Sequence, residues 1–235
     1  MEVKLSSALR EYVTAIHKLE RKSGWAQTGM IAARLGVSDA AVTQTVARLS
    51  EMGLVRHRRY HGVCLTDDGR RVAIEMIRHH RLLETFLFQV LGMPWDEVHN
   101  EAERLQAHIS PEFERRIDAL MGHPRFDPHG TPIPSPDGVM EPVTYKPLAE
   151  VAEVGLRFRL QRVSDRDPKL LRYLDDLHLR LGTILEVVEI HPFEGPLVIA
   201  AHERRHVLGR ELARRIYVVP AEVEEESTGP VAQSA

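Results

Sequence analysis

The chain has 235 residues, 43% hydrophobic and 28% charged, the balance of a globular protein that buries a core without covalent staples. Its single cysteine, Cys64, excludes an intramolecular disulfide framework and a thiolate-rich zinc or iron–sulfur site. A net charge of -3 gives no bulk attraction to nucleic acid, and neither a membrane-length apolar run nor a secretory signal is visible, which points to a cytoplasmic protein.

From Leu5 to Arg21 the apolar residues Leu9, Tyr12, Val13, Ile16 and Leu19 recur at three and four, the period of an amphipathic helix. The stretch "TGMIAARLGVSDAAVTQTVARLSEMGLV" then predicts a short helix ending at Gly36, a tight turn, and a second helix capped by Ser38 and stopped by Gly53. In "LVRHRRYHGVCLTDDGRRVA" two β-prone runs flank a basic segment with Gly62, and Thr66 and Asp67 open another helix. Residues 1–72 therefore predict a winged helix-turn-helix.

The helix opened at Asp67 carries Val72, Met76, Leu82, Leu83, Phe86, Leu87 and Val90 until "GMPW", a further helix is expected from about Asp96 to Ile109, and Ser110–Pro111 opens a third. Residues 73–121 supply too few apolar helices to enclose a core alone, so they are expected to bury their stripe against a second copy in a homodimer. Residues 122–147 are dense in proline and glycine and predict an extended linker belonging to neither neighbour. Between 148 and 220, "GLRFRLQRV", "GTILEVVEI", "GPLVIAAH" and "RRIYVVP" are β-like runs interrupted by helical "DPKLLRYLDDL", which suggests a small β-barrel. The acidic, then small and polar end, 221–235, predicts disorder. The fold class is mainly α with α+β parts.

Two surfaces carry chemistry. The predicted second helix of the helix-turn-helix begins with Ser38, Asp39, Ala40, Ala41, Val42, Thr43 and Gln44. Ser38 and Thr43 suit phosphate or base contacts, Gln44 pairs bidentately with adenine, and Ala40 is small enough to lie against a thymine methyl. At the wing tip Arg56, Arg58 and Arg59 gather positive charge in an otherwise acidic chain, where the phosphate backbone of double-stranded DNA would meet it. The bland alternative is a solvated hairpin, or a winged helix used as a protein-interaction module.

The segments "HRLLE" and "HNEAE" place His80 four residues before Glu84 and His99 four before Glu103, spacing that stacks imidazole and carboxylate on one helix face. Glu11 lies on the polar face of the first helix. Nitrogen and carboxylate oxygen without sulfur suits manganese or ferrous iron, and accepts other divalent transition metals in vitro. No His-Glu-x-x-His signature and no nucleophile constellation accompanies them, so the reading is not an enzyme.

Taken together, "VTQTVARLSEMGLV", the basic wing running into "LTDDGRRVA", "HHRLLETFL", "VHNEAERL" and "DPKLLRYLDDLHLRLGT" resemble the diphtheria-toxin-repressor family of iron-dependent and manganese-dependent regulators, over nearly the whole chain to about Pro220. The resemblance implies a homodimeric metalloregulator with a winged helix, a helical dimerisation and metal-binding domain, and a tethered SH3-like (FeoA-like) domain over residues 148–220. It implies that His80, Glu84 and His99 form an ancillary metal site to which Asp167 adds a ligand. It further implies that Glu11 and Glu103 belong to a primary site, and that Ser38, Ala40 and Gln44 approach bases. Where the family shows a glutamate–histidine pair after Glu103, this chain has Gln106 and Ala107, so either Gln106 completes a thinned primary site or the His80 site dominates. His108 comes one residue late, about 140° around a helix from Glu103. The expected protein is a cytoplasmic homodimeric regulator, in most cases a repressor, that binds a palindromic operator when loaded with manganese or ferrous ion. The alternatives are a winged-helix regulator of a non-metal signal and a protein-interaction module.

Overall fold

The computed structural model describes residues 5–165 and 167–221, excluding the side chains of residues 21–23. The chain forms two compact units, Met1–Pro142 and Val143–Ala235. The tail expected to be disordered lies, from residue 222 on, outside the described residues.

The first unit opens with α1 (Ser7–Ser23), α2 (Thr28–Leu35) and α3 (Asp39–Glu51), followed by the antiparallel hairpin β1 (Val55–Arg58) and β2 (Gly62–Leu65). The helix ends are where the sequence puts them: Gly36 adopts the left-handed conformation after α2, and the Ser38 hydroxyl accepts the Ala41 N–H at 3.2 Å. The stripe Val42, Val46 and Leu49 of α3 packs with Leu9, Val13 and Ile16 of α1 and with Ile31, Val55, Val63 and Leu65 in one core. The wing is anchored to the segment before α2 by reciprocal backbone bonds between Ala26 and Val63, at 2.7 and 2.9 Å. Gly62 permits this approach, since a Cβ there would lie 2.4 Å from the Ala26 carbonyl oxygen and φ is +105°.

Next comes α4 (Asp67–Gln89), capped by Thr66 and carrying Asp67 and Asp68 in its first turn. At 1.5 Å per residue it is about 34 Å long, and it serves two cores. Ala73 joins the winged-helix core, while Leu82, Leu83 and Leu87 pack with Val98 and Ala102 of α5 (Val98–Leu105) and Ile117 of α6 (Pro111–Leu120). The boundary expected at residue 72 thus falls inside one continuous helix. The second helix expected here ends earlier than its pattern suggested: α5 stops at Leu105, and a turn bond from His108 N–H to the Leu105 carbonyl takes His108 off the helix.

Residues 122–142 are not a free linker. Ile133 is buried among Leu82, Leu83 and Leu87, and Asp127, His129, Pro132 and Pro134 are buried with it. Prolines lack an N–H, but their carbonyls still accept, and α4 supplies the donors: Arg78 Nη1 reaches the Pro134 oxygen at 2.7 Å and Arg81 Nη1 the Pro132 oxygen at 2.5 Å. The segment is a strap laid along α4.

The second unit contains β3 (Lys146–Pro147), α7 (Leu148–Val151), β4 (Arg157–Val163), α8 (Pro168–Asp176), β5 (Ile184–Ile190), β6 (Leu197–Ala201), β7 (Arg204–Leu208), α9 (Arg210–Ala213) and β8 (Ile216–Pro220). The strands form a six-stranded antiparallel sheet of order β3-β8-β4-β5-β6-β7, with register shifts in β4 and β5 that bend it around Leu160, Leu185, Val187 and Ile199. Among the described residues, no helix is long and apolar enough to cross a membrane.

Candidate metal centre and DNA-binding surface

His80 and Glu84 project from successive turns of α4, and His99 from the first turn of α5 faces them. His80 Nε2 is 3.0 Å from Glu84 Oε1, His99 Nδ1 is 2.9 Å from the same oxygen, and the two nitrogens are 3.1 Å apart. Three donors at such mutual separations match three cis corners of an octahedron with metal–ligand bonds of about 2.1 Å, the preference of small divalent ions on nitrogen and oxygen. Glu84 is fully buried, and burial alone would raise its carboxyl. Hydrogen bonds from His80 and His99, with the nearby imidazoles, outweigh that and hold it well below the usual carboxylate range. Its second oxygen, Oε2, is buried without a protein partner.

That oxygen belongs to a second set of candidate ligands. Glu84, Asp127 and His129, all buried, place one donor atom each within 4.8 Å of one another. His129 Nε2 lies 2.8 Å from the Trp95 carbonyl, which only accepts, so the ring hydrogen is on Nε2. Nδ1 is buried and has no hydrogen-bond partner among the described residues. The Trp95 indole stacks on the His129 ring at 6.0 Å, fixing its orientation. Asp127 accepts the N–H groups of His129 and Thr131 through Oδ1, each at 2.9 Å. Burial, with the Glu84 charge beside it, pushes the Asp127 carboxyl up to about 6.

Among the described residues these two sets are the groups of histidine, cysteine and carboxylate that could hold an ion, and both turn on Glu84. Of the expected ligands, His80, Glu84 and His99 are brought together. Glu103 and Glu11 are exposed and belong to neither set. Gln106 is buried, and its backbone carbonyl accepts from His79 Nδ1 at 3.2 Å. His79 Nε2 meets Glu114 at 3.0 Å, and Arg78 bridges Glu114 and Asp118 at 2.6 and 3.0 Å, so an ion-pair network ties α4 to α6 beside Gln106. Asp167 lies in the second unit, where it caps α8 by accepting the Lys169 N–H at 3.0 Å. Asp127 and His129 were missed by sequence reasoning because they sit in the supposed linker. The available signal was "DPHG", two residues of metal-ligating type inside a turn.

Elsewhere in the first unit, Ser38 at the cap of α3 and Ala40 and Gln44 within it are exposed, as is Thr43, whose hydroxyl donates to the Asp39 carbonyl at 2.9 Å. Arg56, Arg58 and Arg59 are all exposed on the wing, where the Arg59 guanidinium sits 5.0 Å over the ring of Tyr60. Gln27 Nε2 holds the wing tip by donating to the His61 carbonyl at 2.8 Å.

This ordering of an exposed polar helix and basic wing ahead of a cluster of candidate metal ligands is matched by three family models: the iron dependent repressor N-terminal DNA binding domain over residues 4–63, the iron dependent repressor metal binding and dimerisation domain over 66–135, and the FeoA domain over 146–220. The chain belongs to the iron-dependent repressor family. It is 29% identical over 222 residues to the diphtheria toxin repressor of Corynebacterium glutamicum, covering 90% of this chain and 95% of that protein. Its match to the iron-dependent repressor IdeR of Mycobacterium tuberculosis is 40% identical but spans 52% of this chain and 54% of IdeR, about half the length of that relative. A solved manganese-dependent transcriptional repressor in complex with manganese aligns with a TM-score of 0.78 and 38% identity over 91% of this chain and 100% of its own. The metal-binding and dimerisation model runs to residue 135, through Asp127, His129 and Ile133 of the strap.

Proposed function

We propose that the protein is a cytoplasmic, homodimeric transcription regulator, acting as a repressor, whose affinity for a palindromic operator rises when a manganese or ferrous ion is held by His80, Glu84 and His99. The observation that carries this is the convergence of Nε2, Nδ1 and Oε1 within 3.1 Å of one another on two helices of the same unit as the DNA-facing surface. When bound, the ion would take the place of the hydrogens through which His80 and His99 bond Glu84, supplying positive charge to the buried carboxylate and accepting the two imidazole lone pairs.

The protein's own part is mechanical. Helix α4 carries His80 and Glu84 at one end, while its first turn packs under the wing, where Gly69 lies so close to the Leu54 carbonyl that a Cβ would come within 2.0 Å. A change in how α4 and α5 are held is therefore passed rigidly to the DNA-reading head. Glu11 was expected to tie α1 to the metal. The contacts of α1 with α4 include two ion pairs that need no metal, Arg10 Nη1 to Glu75 Oε1 at 3.3 Å and Glu20 Oε1 to Arg70 Nε at 3.5 Å. Metal would select the stance of α4 and α5 that spaces two copies of α3 for two half-sites, a population shift that requires tighter binding to the DNA-competent form.

Fluorescence anisotropy of operator-like DNA across Mn2+, Fe2+ and Zn2+, with a chelator control, tests the reading. Affinity that rises with metal and collapses with chelator is expected; affinity indifferent to metal would leave a winged-helix regulator of another signal.

A further inference from the structure

We propose that Glu84 is the shared carboxylate of a two-ion centre, with Oε1 joining His80 and His99 around one ion and Oε2 joining Asp127 and His129 around the other. This rests on the metal-activated reading above and extends it by a second ion and a bridge. Both ligand sets contain Glu84. One of its oxygens is within 3.0 Å of both imidazoles, whereas the other is buried with no hydrogen-bond partner among the described residues. A buried carboxylate oxygen left unpaired is costly, and the donors nearest in kind are equally underused: His129 Nδ1 is also buried and partnerless.

The surroundings are those of ligands held in place. His129 is locked by the Trp95 carbonyl through Nε2 and by stacking on the indole, so Nδ1 is aimed, and Asp127 spends Oδ1 on two backbone N–H groups while Oδ2 remains for an ion. Arg81 is the cation facing this set, with Nε 3.9 Å from Asp127 Oδ2, and its Nη1 is occupied by the Pro132 carbonyl. Oxygen, imidazole and carboxylate donors in this number suit manganese or ferrous ion at both positions. Because the strap carries Asp127 and His129 while α4 and α5 carry the rest, loading the pair would clamp three segments that the first ion alone would leave as two.

The test is Mn2+ titration of the full chain, with bound metal counted after desalting and low-temperature electron paramagnetic resonance of the loaded protein. Two Mn2+ per chain at this locus are expected, with the many-line spectrum of an exchange-coupled pair whose hyperfine spacing is about half that of a lone ion. Asp127→Asn keeps the Oδ1 bonds that shape the turn and should fall to one Mn2+ with a simple six-line spectrum, and His129→Ala should do the same. Circular dichroism confirms that each variant is folded. One ion per wild-type chain, or two with independent six-line spectra, overturns the bridge while leaving metal activation standing. No retained Mn2+ and no metal effect on DNA binding would remove both.

Discussion

Replacing His99 with alanine deletes one of three donors that converge to within 3.1 Å, without disturbing a core side chain, since His99 is only partly buried and Glu84 keeps its bond to His80. Loss of a mere supporting partner of a metal ligand costs about 10–100-fold in affinity, so loss of the ligand itself should reach at least about 100-fold. At a Mn2+ concentration about 100 times the wild-type Kd, binding stabilises the folded protein by about 2.7 kcal/mol; for the variant the same concentration equals its own Kd, and RT ln 2 leaves about 0.4 kcal/mol. For a unit spanning Met1–Pro142, about 3 °C per kcal/mol converts these to a Mn2+-induced rise in Tm of about 8 °C in the wild type and about 1 °C in His99→Ala. Differential scanning fluorimetry with and without Mn2+ measures both. Glu103→Ala, at an exposed position outside both ligand sets, should keep the full rise. If His99→Ala kept the wild-type shift while Glu103→Ala lost it, the ion would be bound elsewhere and the geometric reasoning would be wrong.

Gln44→Ala should relax base preference by about 1–3 kcal/mol at one position of the site, seen in binding to single-base operator variants. Neutralising Arg58 or Arg59 should instead weaken binding to all sequences and reduce the slope of log K against log salt by about one per contact, and an unchanged slope would remove the wing from the backbone. A chain ended after Pro142 should remain a dimer that binds DNA, whereas one ended after Gly122 loses Ile133 and the strap from the α4 core and should unfold at lower denaturant by about 2–5 kcal/mol, as for a large core deletion. Glu114 feels burial, which would raise its carboxyl, but hydrogen bonds from His79 and Arg78 lower it from 4.5, so its contribution is present above pH 4.5 and is lost as pH falls through the depressed value. Glu114→Gln should accordingly be less stable than wild type at neutral pH and converge with it in acid, read from urea midpoints across pH. Gly62→Ala places a Cβ 2.4 Å from a backbone oxygen at φ +105°, and should cost about 1–3 kcal/mol and detach the wing, lowering DNA affinity without changing metal binding.

Much of the fold is legible where local rules act alone. The three-and-four spacing of Leu9, Val13 and Ile16, the Ser38 and Thr66 caps, Gly36, and Ser110 with Pro111 each fix an element through contacts within a few residues, and each appears as expected. The strap is illegible for the opposite reason. Its prolines suppress every regular pattern, and what holds it is supplied from far along the chain: Arg78 is 56 residues from Pro134, and Arg81 is 51 from Pro132. Composition alone cannot separate a proline-rich linker from a proline-rich segment whose carbonyls have found donors.

The same division runs through the metal site. His80 and Glu84 meet because one turn of α4 brings them together, which their spacing states outright. The matching residues His99 and Glu103 part company: α5 buries Val98 and Ala102, and four residues on from His99, about 6 Å along the helix, Glu103 is exposed and outside both candidate ligand sets. Equal spacing therefore ranks the two histidines alike but not the two glutamates, because a motif fixes a direction on its own helix and says nothing of what that helix faces. Asp127 and His129 had no helical spacing to announce them. They are placed by a turn whose Asp127 side chain gathers two backbone N–H groups and by the Trp95 carbonyl 34 residues away. The side chain common to both candidate sets is Glu84, on the helix whose Gly69 also packs against the Leu54 carbonyl beside the wing. Metal sensing in this chain is thus best sought along α4 and the strap, where Glu84 Oε2 and His129 Nδ1 lie buried without a hydrogen-bond partner among the described residues and belong to one candidate ligand set.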